Sequence, residues 1–322
     1  MSVVETEELR RVYKSATGVV RRGAKTTEAL RGIDLAIEEG ELFGLLGPNG
    51  AGKTTTIKIL TTLLLPTSGS ASVLGFDVAK RPQEVRRRIG YVFGGERGLY
   101  DRLSALDNLR YFADIYRVPP RAQKARIQEL LEMVGLAGRE RERVETYSRG
   151  MRQRLHIARG LIHDPPVLFL DEPTIGLDPV GARELRAMIA ALRSEGKTIL
   201  LTTHYMFEAD ELCDRIAVIA GGEIVATGTP ATLKSGVADR YVVEVELFGA
   251  EPAVIERIRA LPGVTSVAEE DREQAQLLIV QSARGAEIVD SLLRALDGTR
   301  VGRVVSREPT LEDAYVELVG AK

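Results

Sequence analysis

The stretch Gly47-Pro48-Asn49-Gly50-Ala51-Gly52-Lys53-Thr54 fits the spacing G-x-x-x-x-G-K-[ST] and follows the apolar run Leu42-Phe43-Gly44-Leu45-Leu46. Glycines at those places let the backbone curl until successive N–H groups converge on an anion, and a helix starting near Lys53 adds the positive end of its dipole. In such a phosphate cradle Lys53 reaches the β- and γ-phosphates of a nucleotide, the Thr54 hydroxyl can hold Mg²⁺, and Thr55 stands beside it. The order strand, loop, helix is right, because Thr54-Thr55-Thr56-Ile57-Lys58-Ile59-Leu60 reads as a helix. A merely tight strand-to-helix turn is the alternative.

A second group is Asp171-Glu172, directly after the apolar run Val167-Leu168-Phe169-Leu170. Alone, adjacent acids at a strand end can be solvated or capping groups. Downstream of a phosphate cradle they suit a division of labour, in which Asp171 holds Mg²⁺, usually through water, and Glu172 polarises the attacking water.

Between and beyond these lie Tyr147-Ser148-Arg149-Gly150-Met151-Arg152-Gln153-Arg154, Gly176-Leu177-Asp178-Pro179 and Thr202-Thr203-His204. With them the chain resembles the ATP-binding cassette (ABC) family over about residues 5–230, carrying five of its six ordered markers: phosphate loop, signature, Walker B, D-loop and H-loop. The resemblance implies a head-to-tail dimer with ATP held between the phosphate loop of one copy and the signature of the other. It implies that Ser148 and Gly150 contact the γ-phosphate across that interface, that Asp178 lies at the seam, that Glu172 is the general base and that His204 clamps the γ-phosphate and orients the water. Read without the family, His204 is a polar cap at a strand end. Tyr13, in Leu9-Arg10-Arg11-Val12-Tyr13-Lys14, occupies the place of the family's adenine-stacking aromatic. A half-buried strand tyrosine is the competing reading.

The sixth marker departs from the pattern. Where the family has a glutamine after the strand Ile89–Phe93, this chain has Gly94-Gly95-Glu96-Arg97-Gly98-Leu99-Tyr100. Glycine ligates nothing, so the metal contact is lost, replaced by water or supplied by Glu96, and the effect of Gly94 falls on coupling and loop mobility. The signature also differs from the consensus Leu-Ser-Gly-Gly-Gln, with Arg149 bringing a positive charge near the nucleotide or an adjacent subunit.

The elements that must position these residues follow from hydrophobic patterning. Buried strands are expected at 42–46, 89–93, 167–170, 198–202 and 215–219, with Gly221-Gly222 turning into Glu223-Ile224-Val225-Ala226. A helix-rich stretch covers about 104–163. This is an α/β domain around a largely parallel sheet, which the resemblance makes a P-loop ABC-type ATPase domain with a helical subdomain. A boundary is expected near Gly228-Thr229-Pro230, giving domains 1–230 and 231–322. The second reads as strand 241–247, helix 251–261, strands 264–268 and 277–280, helix 285–296 and strand 301–305, a ferredoxin-like βαββαβ α+β arrangement ending in a helical piece over 310–318. No function attaches to a polar, basic insert at 14–27.

Composition narrows the classes. A chain of 322 residues with 44% hydrophobic and 28% charged residues reads as soluble and globular, with about two domains. The net charge of −2 gives no reason to expect a nucleic-acid partner. The single cysteine, Cys213, excludes an internal disulfide and a cysteine-built zinc site. No apolar run approaches the length of a membrane span, and the acidic N-terminus Met-Ser-Val-Val-Glu-Thr-Glu-Glu reads as no targeting peptide.

The ending Glu308-Pro309-Thr310-Leu311-Glu312-Asp313-Ala314-Tyr315 is similar to the C-terminal extension of ABC-2 type export ATPases of the daunorubicin-resistance kind. The resemblance then implies a peripheral subunit on the cytoplasmic face of the cell membrane, hydrolysing ATP with Mg²⁺ to drive a separately encoded ABC-2 type permease, paired with a second ATP-binding subunit as a homodimer, with a heterodimer of two different cassettes as the alternative. A soluble cassette acting on nucleic acid or ribosomes, and a regulatory cassette that binds ATP without hydrolysing it, are the alternatives.

Overall fold

The computed structural model describes residues 2–15, 25–93, 98–236, 241–249, 252–272, 275–283 and 287–320. The chain divides into two compact units, Met1–Pro230 and Ala231–Lys322. In the first, the elements run β1 (Ser2–Ser15), β2 (Lys25–Glu38), β3 (Leu42–Leu46), α1 (Lys53–Leu60), β4 (Ser68–Val73), β5 (Phe76–Asp77), α2 (Pro82–Arg86), β6 (Ile89–Phe93), α3 (Ala105–Ile115), α4 (Pro120–Met133), α5 (Arg149–Gly160), β7 (Val167–Asp171), α6 (Pro179–Ser194), β8 (Thr198–Thr203), α7 (Met206–Leu212), β9 (Arg215–Ala220) and β10 (Glu223–Gly228). Gly94 and Glu96, where the family glutamine would fall, lie outside the described residues.

Six strands form the central sheet in the order β10-β9-β3-β8-β7-β6. All pairs are parallel except the β9–β10 hairpin at the edge. β3, β7 and β8 are buried at every position, as expected of parallel strands covered on both faces. Their register decides where the chemistry goes. Leu46 pairs with Thr203, Thr202 with Asp171, and Asp171 with Phe93. The carboxyl ends of β3, β8, β7 and β6 therefore lie abreast, and the segments leaving them share one edge of the sheet, the usual place for a ligand in an open α/β sheet.

A second sheet, order β2-β1-β4-β5, is antiparallel and is absent from the sequence expectation. Its inward residues Val4, Leu9, Ile33, Leu35, Ile37, Ala71 and Val73 join Phe43, Leu45, Ile57 and Phe169 in one core. The expected insert at 14–27 is shorter than read, because β1 continues through Ser15 and β2 begins at Lys25. Helices start where side chains satisfy orphan N–H groups: Ser104 accepts from Asp107 N at 3.0 Å for α3, and Asp178 accepts from Val180 N and Gly181 N, both at 3.0 Å, for α6.

The second unit follows α8 (Pro230–Ser235) with β11 (Tyr241–Phe248), α9 (Pro252–Arg259), β12 (Val264–Arg272), β13 (Ala275–Ser282), α10 (Glu287–Ala295), β14 (Arg300–Arg307) and α11 (Leu311–Gly320). The antiparallel sheet has the order β12-β13-β11-β14. Val243, Val245 and Leu247 of β11 and Leu278 and Val280 of β13 pack against Val254, Ile255 and Ile258 of α9 and Ile288 and Leu292 of α10.

The start of α11 is held by charge. Asp313 Oδ2 accepts from Thr310 N at 2.7 Å and Thr310 Oγ1 at 2.8 Å, and Arg307 bridges Asp313 Oδ2 and Glu244 Oε1, each at 2.6 Å. Burial pushes the Asp313 carboxyl up, but the bonds from Arg307 and Thr310 outweigh it and leave the group below its ordinary 3.8. The contribution to stability is therefore full above that value and is lost as pH falls through the folded-state value. Asp313→Ala leaves the half-buried Arg307 with Glu244 alone and Thr310 without its acceptor, and should destabilise this unit by about 2–3 kcal/mol; hydrogen exchange should quicken at β11, β14 and α11, whereas unchanged exchange there would show the cluster to be ornamental.

Candidate functional site

The loop leaving β3 turns back over the sheet before α1 begins. Gly52 takes φ +117°, and a Cβ there would press on Leu30 Cδ2 at 2.7 Å and on the Ala29 carbonyl at 3.0 Å, so both backbone and space demand glycine. Pro48, Asn49 and Gly50 are exposed at the rim, Thr54 is exposed and Thr55 half-buried at the first turn of α1, and Ala51 anchors the loop by accepting from Gly222 N at 3.0 Å. Gly47 N bonds to Thr203 O at 3.3 Å, tying the loop to the end of β8.

Lys53 turns inward and is 4% exposed. Its Nζ donates to Gly47 O at 2.6 Å and Pro48 O at 3.1 Å and stands 3.1 Å from Glu172 Oε1. The same Glu172 oxygen lies 3.3 Å from His204 Nδ1, an ion-pair distance without an aligned hydrogen bond. One carboxylate oxygen thus sits between an ammonium and an imidazole that arrive from three different strand ends. Glu172 itself takes φ +49°, a left-handed conformation that costs a non-glycine residue roughly 1 kcal/mol or more. Its N–H donates to both Thr202 O and Thr202 Oγ1, each at 3.1 Å, and this holds it there. The sharp turn aims consecutive carboxylates in different directions.

Asp171 is buried. Its Oδ1 accepts from Thr202 Oγ1 at 2.6 Å and Thr54 Oγ1 at 3.3 Å. Burial pushes the carboxyl up, Glu172 adds to the rise, and the two hydroxyls and Lys53 only partly offset it. A hard hydroxyl and a hard carboxylate converging at a site that disfavours negative charge are the donor set Mg²⁺ prefers. The expected metal residues, Thr54 and Asp171, therefore fit that ion.

The other expected residues stand apart from this cluster. Ser148 caps α5, its Oγ accepting from Met151 N at 3.3 Å, which leaves the hydroxyl proton for an anion. Gly150 follows in the first turn with open space beside it. The Asp178 carboxylate is exposed, and the Gly181 and Val180 N–H groups hold it below the ordinary range. Among the described residues no contact joins Ser148, Gly150 or Asp178 to Lys53 or Glu172. Tyr13, 38% exposed, has the Arg11 guanidinium 4.9 Å from its ring centroid, so an exposed aromatic surface is present. Arg149 lies against Gly176 of the same chain, where a Cβ would overlap its guanidinium.

Two residues escaped the sequence reading. Thr202 serves both acids at once, and only the β7–β8 register, invisible in sequence, reveals it. Glu208 on α7 is 2% exposed; burial pushes its carboxyl up, and the Thr203 and Thr174 hydroxyls approach without completing an aligned bond.

A phosphate loop at the end of a central parallel strand, with an adjacent acid pair and a histidine on neighbouring strands, defines a P-loop nucleotide-hydrolysing cassette. Residues 30–175 match the ABC transporter family profile. Over 296 residues the chain is 41% identical to the daunorubicin resistance ATP-binding protein DrrA3 of Streptomyces coeruleorubidus, covering 91% of this chain and 92% of that one. It is 33% identical over 320 residues to the linearmycin resistance ATP-binding protein LnrL of Bacillus subtilis (strain 168), covering 99% and 98%. Among solved structures, the dimeric post-hydrolysis state of the ATP-binding cassette MJ0796 bound to ADP and Pi superposes with a TM-score of 0.63 at 28% identity, over 70% of this chain and 98% of that one. The chain belongs to the ABC transporter family of ATP-binding cassettes and is an ATPase of that family.

Thr202→Val keeps shape and removes both hydroxyl bonds. Leaving the buried Asp171 carboxylate without that donor, and the Glu172 N–H with the Thr202 carbonyl alone, should cost about 1–3 kcal/mol of stability and lower kcat about 10- to 100-fold, since both acids lose their orientation; a steady-state rate within twofold of the parent would refute this role.

Proposed function

We propose that this chain is the ATP-hydrolysing subunit of an exporter, driving a separately encoded ABC-2 type permease from the cytoplasmic face of the membrane. The observation that carries the reading is the convergence of Lys53 and His204 on Glu172 Oε1, supported by the drug-resistance ATP-binding proteins among the relatives. No described helix is long and apolar enough to cross a membrane, and in this reading the transport path is built by the permease. An open groove of about 750 Å³, lined in part by Leu63, Arg86, Tyr91, Ile115 and Tyr116, offers apolar and basic surface to such a partner.

In this reading residues 1–230 are the nucleotide-binding domain, with a helical subdomain at about 104–163, and residues 231–322 are a ferredoxin-like accessory domain. Loop N–H groups from Gly47 to Thr54 and the start of α1 bind the phosphates. Tyr13 stacks on adenine. Phosphate oxygens compete with Glu172 Oε1 for the Lys53 ammonium, and as they take it the carboxylate is released to accept a proton from the attacking water. His204, 3.3 Å from that oxygen, orients the water and the γ-phosphate. Thr54 and Asp171 would hold Mg²⁺, which supplies charge neutralisation at the phosphates.

Ser148 and Gly150, remote from Lys53 within one chain, act on nucleotide held by a second copy, with Asp178 at the seam. The structure of the cassette MJ0796 is dimeric, and an isologous pair is the simplest way to make two equal composite sites.

Glu172→Gln should abolish steady-state hydrolysis, by 100-fold or more, while ATP stays bound and sedimentation shows a lasting dimer. Hydrolysis at the parent rate would remove Glu172 as the base. Pull-down from membranes should recover a polytopic chain, and recovery with ribosomes or DNA in its place would overturn the exporter reading.

A further inference from the structure

Among the buried residues of α5, the helix that starts at the signature, runs a polar stripe. Gln153, His156 and Arg159 are 5%, 0% and 9% exposed, and their spacing of three places them along one side of the helix. That side lies on β6 at backbone distance: a Cβ on Gly90 would stand 2.5 Å from the Gly160 carbonyl, and one on Gly160 would stand 2.9 Å from Val92 Cγ2. From there Arg159 Nη2 donates to Tyr91 O at 3.0 Å and Nη1 to Gly98 O at 2.8 Å, while Gln153 Nε2 reaches Phe93 O at 3.4 Å. Phe93 and Gly98 are the described residues flanking positions 94–97.

Between them His156 has no partner at either ring nitrogen. Burial, reinforced by Arg159 and Arg152, pushes it down to about 3, so the imidazole is neutral. Arg159 is then the only charge in the stripe. Among the described residues no carboxylate pairs with it; the Phe112 ring lies 5.3 Å from its Cζ, centroid to atom, and Tyr116 and Tyr91 are also near. A buried guanidinium without an acid is expensive, and packing alone is served as well by an apolar side chain of similar volume. What Arg159 does that an apolar residue cannot is bind two carbonyls on opposite sides of one segment.

We propose that Arg159 is a positioning residue that ties the Tyr91 and Gly98 backbone to the signature helix, so that engagement of nucleotide by the signature is transmitted to those two residues. The strap acts through backbone carbonyls and needs no side chain at position 94, where this chain has glycine. It rests on the ATP-site reading above, deepening it with a route of regulation.

The test is hydrogen exchange on the full chain in a Glu172→Gln background, with and without Mg-ATP. In that background Mg-ATP should slow exchange at both 149–160 and 98–103. Adding Arg159→Met should leave the ATP Kd within threefold and keep the protection at 149–160, yet abolish that at 98–103. Arg159→Lys keeps the charge but cannot span both carbonyls, and should lose at least half of the 98–103 protection; it decides the matter if the methionine variant does not fold. Full protection at 98–103 in these variants with ATP bound, or no effect of ATP there in the background protein, overturns the strap and leaves the ATP site standing. Failure of the background protein to bind ATP refutes both.

Discussion

The structure turns on one ammonium and the groups that claim it. Lys53 is buried among two loop carbonyls and the Glu172 carboxylate, and at 3.1 Å the direct attraction is roughly 5 kcal/mol for an effective dielectric of about 20, before desolvation of both groups is subtracted. A phosphate placed in the cradle competes for that same ammonium. Binding and readiness for chemistry are thereby linked, because the group that would act as base is freed by the anion it acts beside. The Asp171 carboxylate, pushed up by burial and by its neighbour, pulls in the same direction, since a cation relieves it.

Everything else in the first unit serves to bring those groups to one point. Fully buried parallel strands in fixed register set the ends of β3, β7 and β8 abreast, and a one-residue slip in any of them would turn its side chains to the opposite face. The positive φ of Glu172 is a local cost borne for aim, and Thr202 sustains it with two acceptors for a single N–H. Among the described residues Ser148, Gly150 and Asp178 share no hydrogen bond or ion pair with this cluster, in keeping with the composite site proposed above.

Much of this was legible in sequence, and the exceptions have physical causes. The phosphate loop, the acid pair and His204 are marked by residue type and spacing, and the central strands by unbroken apolar runs that only a doubly covered sheet produces. The sheet of β1, β2, β4 and β5 escaped because its period is broken: β1 shifts register around Thr6, Leu9 and Arg10, so Val4 and Leu9 no longer alternate, and Ser68-Gly69-Ser70-Ala71-Ser72 has little strand character. The alternation Ile33, Leu35, Ile37 in β2 was there to be read. In the second unit the strands run past their apolar centres into polar ends such as Glu269–Arg272, so the expected 264–268 became Val264–Arg272. Thr202 and Arg159 were invisible for another reason, since each meets its partners only through tertiary neighbourhood, Thr202 across the β7–β8 pairing and Arg159 from α5 onto β6.

The most direct measurement is calorimetric titration of ADP and of AMP into the parent and Glu172→Gln proteins. ADP carries the β-phosphate proposed to reach Lys53, and AMP does not. If the ammonium is shared between Glu172 and phosphate, the substitution tightens ADP several-fold and leaves AMP unchanged. Equal ADP affinity in the two proteins would contradict the account.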